Sequence, residues 1–264
     1  MPFVRAADLV VHYELSGAPG APVLVLANSL GTSLAMWESA LPLLAGAHRV
    51  LRYDLRGHGL TSCTPGVDPP AATIARRCED LVALLDALGI GRVRFAGVSI
   101  GGMVGQRFGA EHPERVEALA LCATSNVIGP ASRWDQRIQA VNAGGLAAIA
   151  DGVVGGWFTE RMRREEPDVV AGFATMLQRT PVEGYVEGCR AVRDADLRAD
   201  DARIRARTLV VSGAEDPTTT PERGAELARA IPGARCAVVD GAAHIIPAEQ
   251  PAALARTLLD FFGS

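Results

Sequence analysis

The sequence predicts an α/β protein, a mostly parallel sheet with helices packed on both faces. Three observations predict it. Short, almost wholly apolar runs recur, as strands buried on both faces require, for example Val23-Leu24-Val25-Leu26-Ala27 and Thr208-Leu209-Val210-Val211-Ser212. Segments with apolar residues at helical spacing alternate with them through short links. A serine stands between one such run and the helix after it, in Phe95-Ala96-Gly97-Val98-Ser99-Ile100-Gly101. A chain of 264 residues suits one domain with room for an insertion, and 48% hydrophobic residues suffice for a large core.

Eight strands are expected. Residues 3–15 read as two short strands ending in the turn Ser16-Gly17-Ala18-Pro19-Gly20. Val23–Ala27 follows, then a helix over 33–44 and the strand Val50-Leu51-Arg52-Tyr53-Asp54. Leu81, Leu84, Leu85 and Leu88 mark a helix within 72–88, and Gly89 suits its C-terminal end. The serine strand and a helix to about His112 come next, then the sixth strand, Ala118–Cys122. From 125 to 197 no buried strand is expected. Amphipathic stretches at 134–141, 146–158, 169–177 and 183–192 predict a helical lid inserted after strand 6. The expected division is a core of 1–124 and 198–264 with a cap of 125–197. The sheet resumes at 208–212 and 236–239, and a helix over 249–262 closes the chain.

Composition narrows the function. The net charge is −4, no basic stripe is present, and every one of the 26 basic residues is arginine, so a nucleic-acid partner is not expected. Cys63, Cys78, Cys122, Cys189 and Cys236 are scattered and odd in number. They predict free thiols in a reducing compartment rather than a disulfide frame or a metal site. No leader and no run of the ~20 apolar residues a membrane helix needs is apparent, which predicts a cytoplasmic protein with no membrane partner.

The pattern Gly97-x-Ser99-x-Gly101 spells a nucleophile elbow. A serine on so sharp a turn needs neighbours without Cβ atoms, and the unpaired N–H groups of the following helix lie beside it. A serine hydroxyl needs a base, and the base needs a carboxylate to orient it. In an open parallel sheet such groups belong on loops at the carboxyl ends of strands. His244, after the last strand, is the expected base; His58 follows a strand too, but in a glycine-flanked loop that suits a structural role. Asp216 is the expected orienting acid, preferred to Glu215 because Pro217 stiffens the turn beside it. Asp54 also ends a strand, but its neighbours Arg52 and Arg56 suggest a structural ion pair. The order Ser99, Asp216, His244 is that of this hydrolase architecture. Two backbone donors complete an oxyanion hole: Ile100, after the nucleophile, and Leu30, in the loop after Val23–Ala27.

With these residues in place the chain resembles the α/β-hydrolases, and within them the 3-oxoadipate enol-lactonases. The resemblance runs over almost the whole length. It rests on Asn28-Ser29-Leu30-Gly31-Thr32, Tyr53-Asp54-Leu55-Arg56-Gly57-His58-Gly59, Asp216-Pro217 and Glu249-Gln250-Pro251. The lid adds Trp134-x-x-Arg137-Ile138, Gly156-Trp157-Phe158-Thr159 and Gly184-Tyr185. Residues 127 and 129–132, Thr218-Thr219-Thr220-Pro221 and His244-Ile245-Ile246-Pro247 depart from the pattern, and these segments shape the pocket.

The resemblance implies a small anionic lactone as partner, opened to 3-oxoadipate with neither metal nor organic cofactor. A cation must then hold the free carboxylate. Trp134 and Arg137, three residues apart, share a helix face, so Arg137 would pair with the carboxylate while Trp134 packs the ring. Arg133 is expected on another face, and Trp157 either lines the pocket or anchors the lid. The rival readings are a carboxylesterase or lactonase of another pathway and a non-catalytic receptor of the same fold. A dehalogenase would need a carboxylate at position 99.

Overall fold

Strands form where the apolar runs stand, because a run buried on both faces has no amphipathic helix to make. The computed structural model of the chain describes residues 2–63 and 72–263; the ends of the expected core, Met1 and Ser264, lie outside them. The strands β1 (Phe3–Ala6) and β2 (Leu9–Ser16) form an antiparallel hairpin, and β2 pairs antiparallel with β4 (Arg49–Tyr53). Beyond it β3 (Val23–Ala27), β5 (Val93–Val98), β6 (Val116–Cys122), β7 (Arg207–Gly213) and β8 (Arg235–Val239) run parallel. The eight-stranded order is β1-β2-β4-β3-β5-β6-β7-β8. It reverses direction about β3, so the carboxyl ends of β3 and β5 meet at its centre, where ligands bind in such sheets.

Helices cover the sheet. The expected helix over 33–44 is instead a 3₁₀ turn, Leu34–Trp37, followed by the short α1 (Leu41–Ala45). α2 (Ile74–Ala87), capped by the Thr73 hydroxyl on Arg76 N–H, packs against α3 (Ile100–Glu111). Between β6 and β7 the described residues form helices and no strand: α4 (Ala131–Gly144), α5 (Ala150–Trp157), α6 (Glu160–Glu165), α7 (Pro167–Gln178), α8 (Val182–Arg193) and α9 (Arg198–Asp201). α6 lies outside the four expected stretches because its sequence, Glu-Arg-Met-Arg-Arg-Glu, carries one apolar residue and so no stripe to detect. α10 (Pro221–Ala230) follows β7, with Pro221 at its first position. The closing helix is two: α11 (Ile246–Glu249) and α12 (Pro251–Gly263), parted because Pro251 disfavours helical geometry at Gln250. No helix among the described residues is long and apolar enough to cross a membrane.

α8 sits on the core backbone to backbone. A Cβ at Gly184 would stand 2.1 Å from the Gly57 carbonyl oxygen, and one at Gly188 would stand 2.3 Å from the Leu30 side chain. The loop beneath is held by buried charge. Asp54 does not pair with Arg52 or Arg56: its carboxylate takes His12 Nδ1 at 2.7 Å and the N–H groups of Leu34 and Leu60. Arg52 turns instead to Glu14 and Glu38, and Arg56 to Asp8 and Asp80. Asp54 and Arg56 lie beyond the end of β4, where the chain leaves the sheet, so a spacing of two in sequence does not set their partners.

Candidate active site

Ser99 occupies the sharp turn between β5 and α3 with φ of 58° and ψ of −117°. A non-glycine residue there costs on the order of 1–3 kcal/mol and persists only where the surroundings enforce it. They do so here by close approach. A Cβ at Gly97 would lie 2.4 Å from the Gly101 carbonyl oxygen, and one at Gly101 would lie 2.8 Å from those of Ala27 and Asn28. Ser99 N–H donates to Cys122 O at 2.9 Å, and its own carbonyl accepts from Met103 N and Thr124 Oγ1. With both backbone groups engaged, the side chain is directed to the cavity.

The cavity, of about 220 Å³, lies between the carboxyl ends of the strands and the helices above, and both Ser99 and His244 line it. None of the other four histidines does. His58 is fully buried, its Nδ1 3.0 Å from Arg56 O; burial lowers its pKa to about 4, so it stays neutral as a loop-structuring group. His244 Nδ1 lies 2.7 Å from Asp216 Oδ2. No hydrogen bond joins the Ser99 hydroxyl to His244 in this structure; such contacts often close only with substrate bound.

The two loops that carry Asp216 and His244 touch through bare backbone. A Cβ at Gly213 would meet Ala243 O at 2.1 Å, and Glu215 N–H donates to Ala242 O at 2.9 Å. Glu215 is thereby turned outward as an exposed side chain, while Asp216 is buried. Asp216 Oδ1 accepts from Thr218 N and Thr219 N, and Oδ2 accepts from Thr219 Oγ1 at 2.6 Å. Burial alone would raise its pKa; the His244 ring and the Thr219 donors outweigh burial and hold the carboxyl well below the usual carboxylate range. Thr219 is thus a working member of the site that sequence reasoning missed. The signal was its place three residues after the acid, where a hydroxyl can fold back on a turn.

Leu30 and Ile100 present backbone N–H groups that donate to no atom among the described residues. Ile100 N–H is free because the first N–H groups of a helix have no acceptor within it. Asn28 holds the Leu30 loop from beneath, its Nδ2 donating to Thr32 O at 2.7 Å and to Ser29 O.

The roof supplies charge and rings. Trp134, Arg137 and Trp157 all line the cavity. Trp134 is pinned by Nε1 donating to Ile128 O at 2.6 Å, and the Arg137 guanidinium lies 5.0 Å from its ring centroid. Arg133, expected on another face, lines the cavity as well, because it and Arg137 are four residues apart on α4. Arg133 stands exposed at the mouth and Arg137 is half-buried. Neither forms an ion pair with a carboxylate among the described residues. Partial burial and the like charges of Arg137 and Arg223 lower the Arg133 pKa. Tyr185, fully buried on α8, also borders the cavity, and its hydroxyl lies beside the Arg137 guanidinium without a hydrogen bond of ordinary geometry.

Metal-ligating atoms come together elsewhere. Among the described residues Cys78, Glu111 and His112 place ligand atoms within 4.8 Å of one another, at the far end of α3 from Ser99. Glu111 is already paired with Arg107 at 2.8 Å, and burial pushes the Cys78 thiol up to about 12, so the thiolate a metal needs is disfavoured.

The chain matches the family described as alpha/beta hydrolase fold over residues 22–251. It is 36% identical over 250 residues to 3-oxoadipate enol-lactonase 2 of Acinetobacter baylyi, an alignment covering 95% of this chain and 92% of that protein. It is 29% identical to a putative carbamate hydrolase, RutD, of Stutzerimonas stutzeri, over 95% of this chain and 96% of that one. Among solved structures it is similar to the enol-lactonase from Burkholderia xenovorans LB400, with 38% identity, a TM-score of 0.95 and full coverage of both chains.

Proposed function

Because the chain belongs to the α/β-hydrolase family, we propose that it opens 3-oxoadipate enol-lactone to 3-oxoadipate through an acyl-enzyme on Ser99, as a step of aromatic catabolism in the cytoplasm. The coarser statement, a hydrolase of carboxylic esters or lactones, follows from the family and its enol-lactonase relatives. One observation carries the finer one. Arg137, with Arg133 at the mouth, faces a small cavity that no carboxylate among the described residues lines. A guanidinium so placed favours an anionic ligand, and a lactone bearing a carboxymethyl group brings that charge.

In this reading residues 125–197 form the cap, and 1–124 with 198–264 form the catalytic core. Ser99 Oγ attacks the lactone carbonyl as His244 takes its proton, and Asp216 stabilises the imidazolium. The N–H groups of Leu30 and Ile100 hold the oxyanion. The ring C–O bond breaks, His244 returns the proton to the departing enol oxygen, and the enol tautomerises to the ketone while its acyl end stays on Ser99. His244 then takes a proton from water, the hydroxide attacks the acyl carbon, and Ser99 leaves with its proton restored.

The test is loss of enol-lactone absorbance with purified protein, set beside p-nitrophenyl acetate. Preference for the lactone supports the reading. Preference for the neutral ester assigns the chain to esterases of other scope. Failure of an organophosphonate to label Ser99, with no turnover of either substrate, would make it a receptor.

A further inference from the structure

We propose that Glu249 is a positioning residue: it ties the backbone ahead of His244 to the turn of the helical insertion that carries Trp157, so that these two walls of the cavity hold their places together. The proposal rests on the reading of His244 as the base.

Glu249, at the end of α11, is buried and faces no cation among the described residues. Its carboxylate is satisfied by donors from two separate segments. Oε1 accepts from Thr159 N at 3.2 Å and from the Thr159 hydroxyl; Oε2 accepts from Ala243 N at 2.9 Å. Thr159 follows α5, and Ala243 directly precedes His244. A second tie runs parallel: Trp157 O accepts from both His244 N and Ile245 N, each at 3.1 Å. Residues 157–159 and 243–245 are therefore laced by two rungs, with Glu249 as one of them. The Trp157 side chain borders the same cavity as Ser99 and His244. A ligand that displaces Trp157 thus acts on the backbone of the base.

Purely structural needs explain this poorly. A buried carboxylate often stabilises a fold no better than an apolar side chain of the same volume. Here the charge accepts from N–H groups on both sides of the site, which an apolar group cannot do.

The experiment measures kcat and KM for p-nitrophenyl acetate in Glu249→Ala, Glu249→Gln, Thr159→Val and the Thr159→Val/Glu249→Ala double variant, each well below its own Tm. Glu249→Ala should lose between about tenfold and a hundredfold in kcat, with KM nearly unchanged, as a small displacement of the base would cause. Glu249→Gln keeps one acceptor oxygen and should recover much of that loss. Thr159→Val touches no residue of the proposed triad, yet should lower kcat severalfold, and the double variant should be no slower than Glu249→Ala. The downfield proton of the His244–Asp216 hydrogen bond should broaden in Glu249→Ala and sharpen again in Glu249→Gln. Should Glu249→Ala fail to fold, Glu249→Gln and Thr159→Val decide alone. Variants with lowered Tm and wild-type kcat would overturn the proposal. His244→Ala separates it from its premise: wild-type kcat in that variant would refute the base, whereas loss of kcat there with none in the Glu249 and Thr159 variants would refute only the tie.

Discussion

The floor and the roof of the cavity are built on different terms. On the floor, Ser99, Asp216 and His244 stand on loops at the carboxyl ends of parallel strands, and backbone contacts too close for any Cβ hold those loops in register. On the roof, Trp134, Arg137 and Arg133 project from one face of α4, set by side-chain contacts such as the Trp134 bond to Ile128 O and the stacking of Arg137. The floor is over-determined and tolerates almost no change. The roof is adjustable one side chain at a time. Bond-making needs sub-ångström placement, whereas choice among small anions needs a charge of the right sign within reach.

Substitutions that break this contrast should differ by orders of magnitude. Ser99→Ala should cut kcat/KM for ester hydrolysis by at least about 10⁴-fold while circular dichroism stays native; a variant with near-normal turnover would end the account of the floor. Gly97→Ala, whose added methyl meets the Gly101 carbonyl, should cost about 1–3 kcal/mol in urea unfolding, with activity falling alongside. Arg137→Ala should weaken an anionic lactone by about tenfold to a hundredfold, the worth of a charge-assisted contact, and leave p-nitrophenyl acetate little changed. Equal losses on both substrates would show that the roof does more than select charge.

Acid sharpens the comparison from another side. Because the folded Asp216 carboxyl is held below its unfolded value of about 3.9, it binds a proton more readily when unfolded. The stability it contributes is fully present above that value and drains away as pH falls through it toward the lower folded one. Asp216→Asn should flatten that part of the unfolding curve between about pH 4 and 2. The smallest effect belongs to the roof. Tyr185→Phe removes a buried hydroxyl that sits beside the Arg137 guanidinium without a hydrogen bond of ordinary geometry, so its Tm should change little.

The same contrast explains what could be read in the sequence. The sheet, its order of elements and the insertion after β6 were legible because apolar runs and glycine positions are local signals. The elbow was legible because its geometry demands glycine at 97 and 101. Asp216 and His244 could be chosen by asking which loops follow strands. The contacts of Glu249 are not legible, since its partner Thr159 lies 90 residues away and only the fold brings the two together, whereas Thr219 carries only the weak local signal of a hydroxyl three residues after Asp216. The place of Arg133 is not legible from the Trp134–Arg137 spacing alone, because 133 and 137, four apart on α4, also share a face. The partner of Asp54 is not legible either, because His12 stands 42 residues away while the arginines beside Asp54 in sequence turn to other carboxylates.

The seam between Gly57 and Gly184 has a consequence for how such chains can diverge. A methyl at either position would have to lift α8 and, with it, Tyr185 and the glycine that lets the helix pass over Leu30. Drift is therefore barred at this crossing, while α4, which has no such seam, is free to trade its arginines. New substrates should be reached by rewriting the one helix and leaving the other untouched.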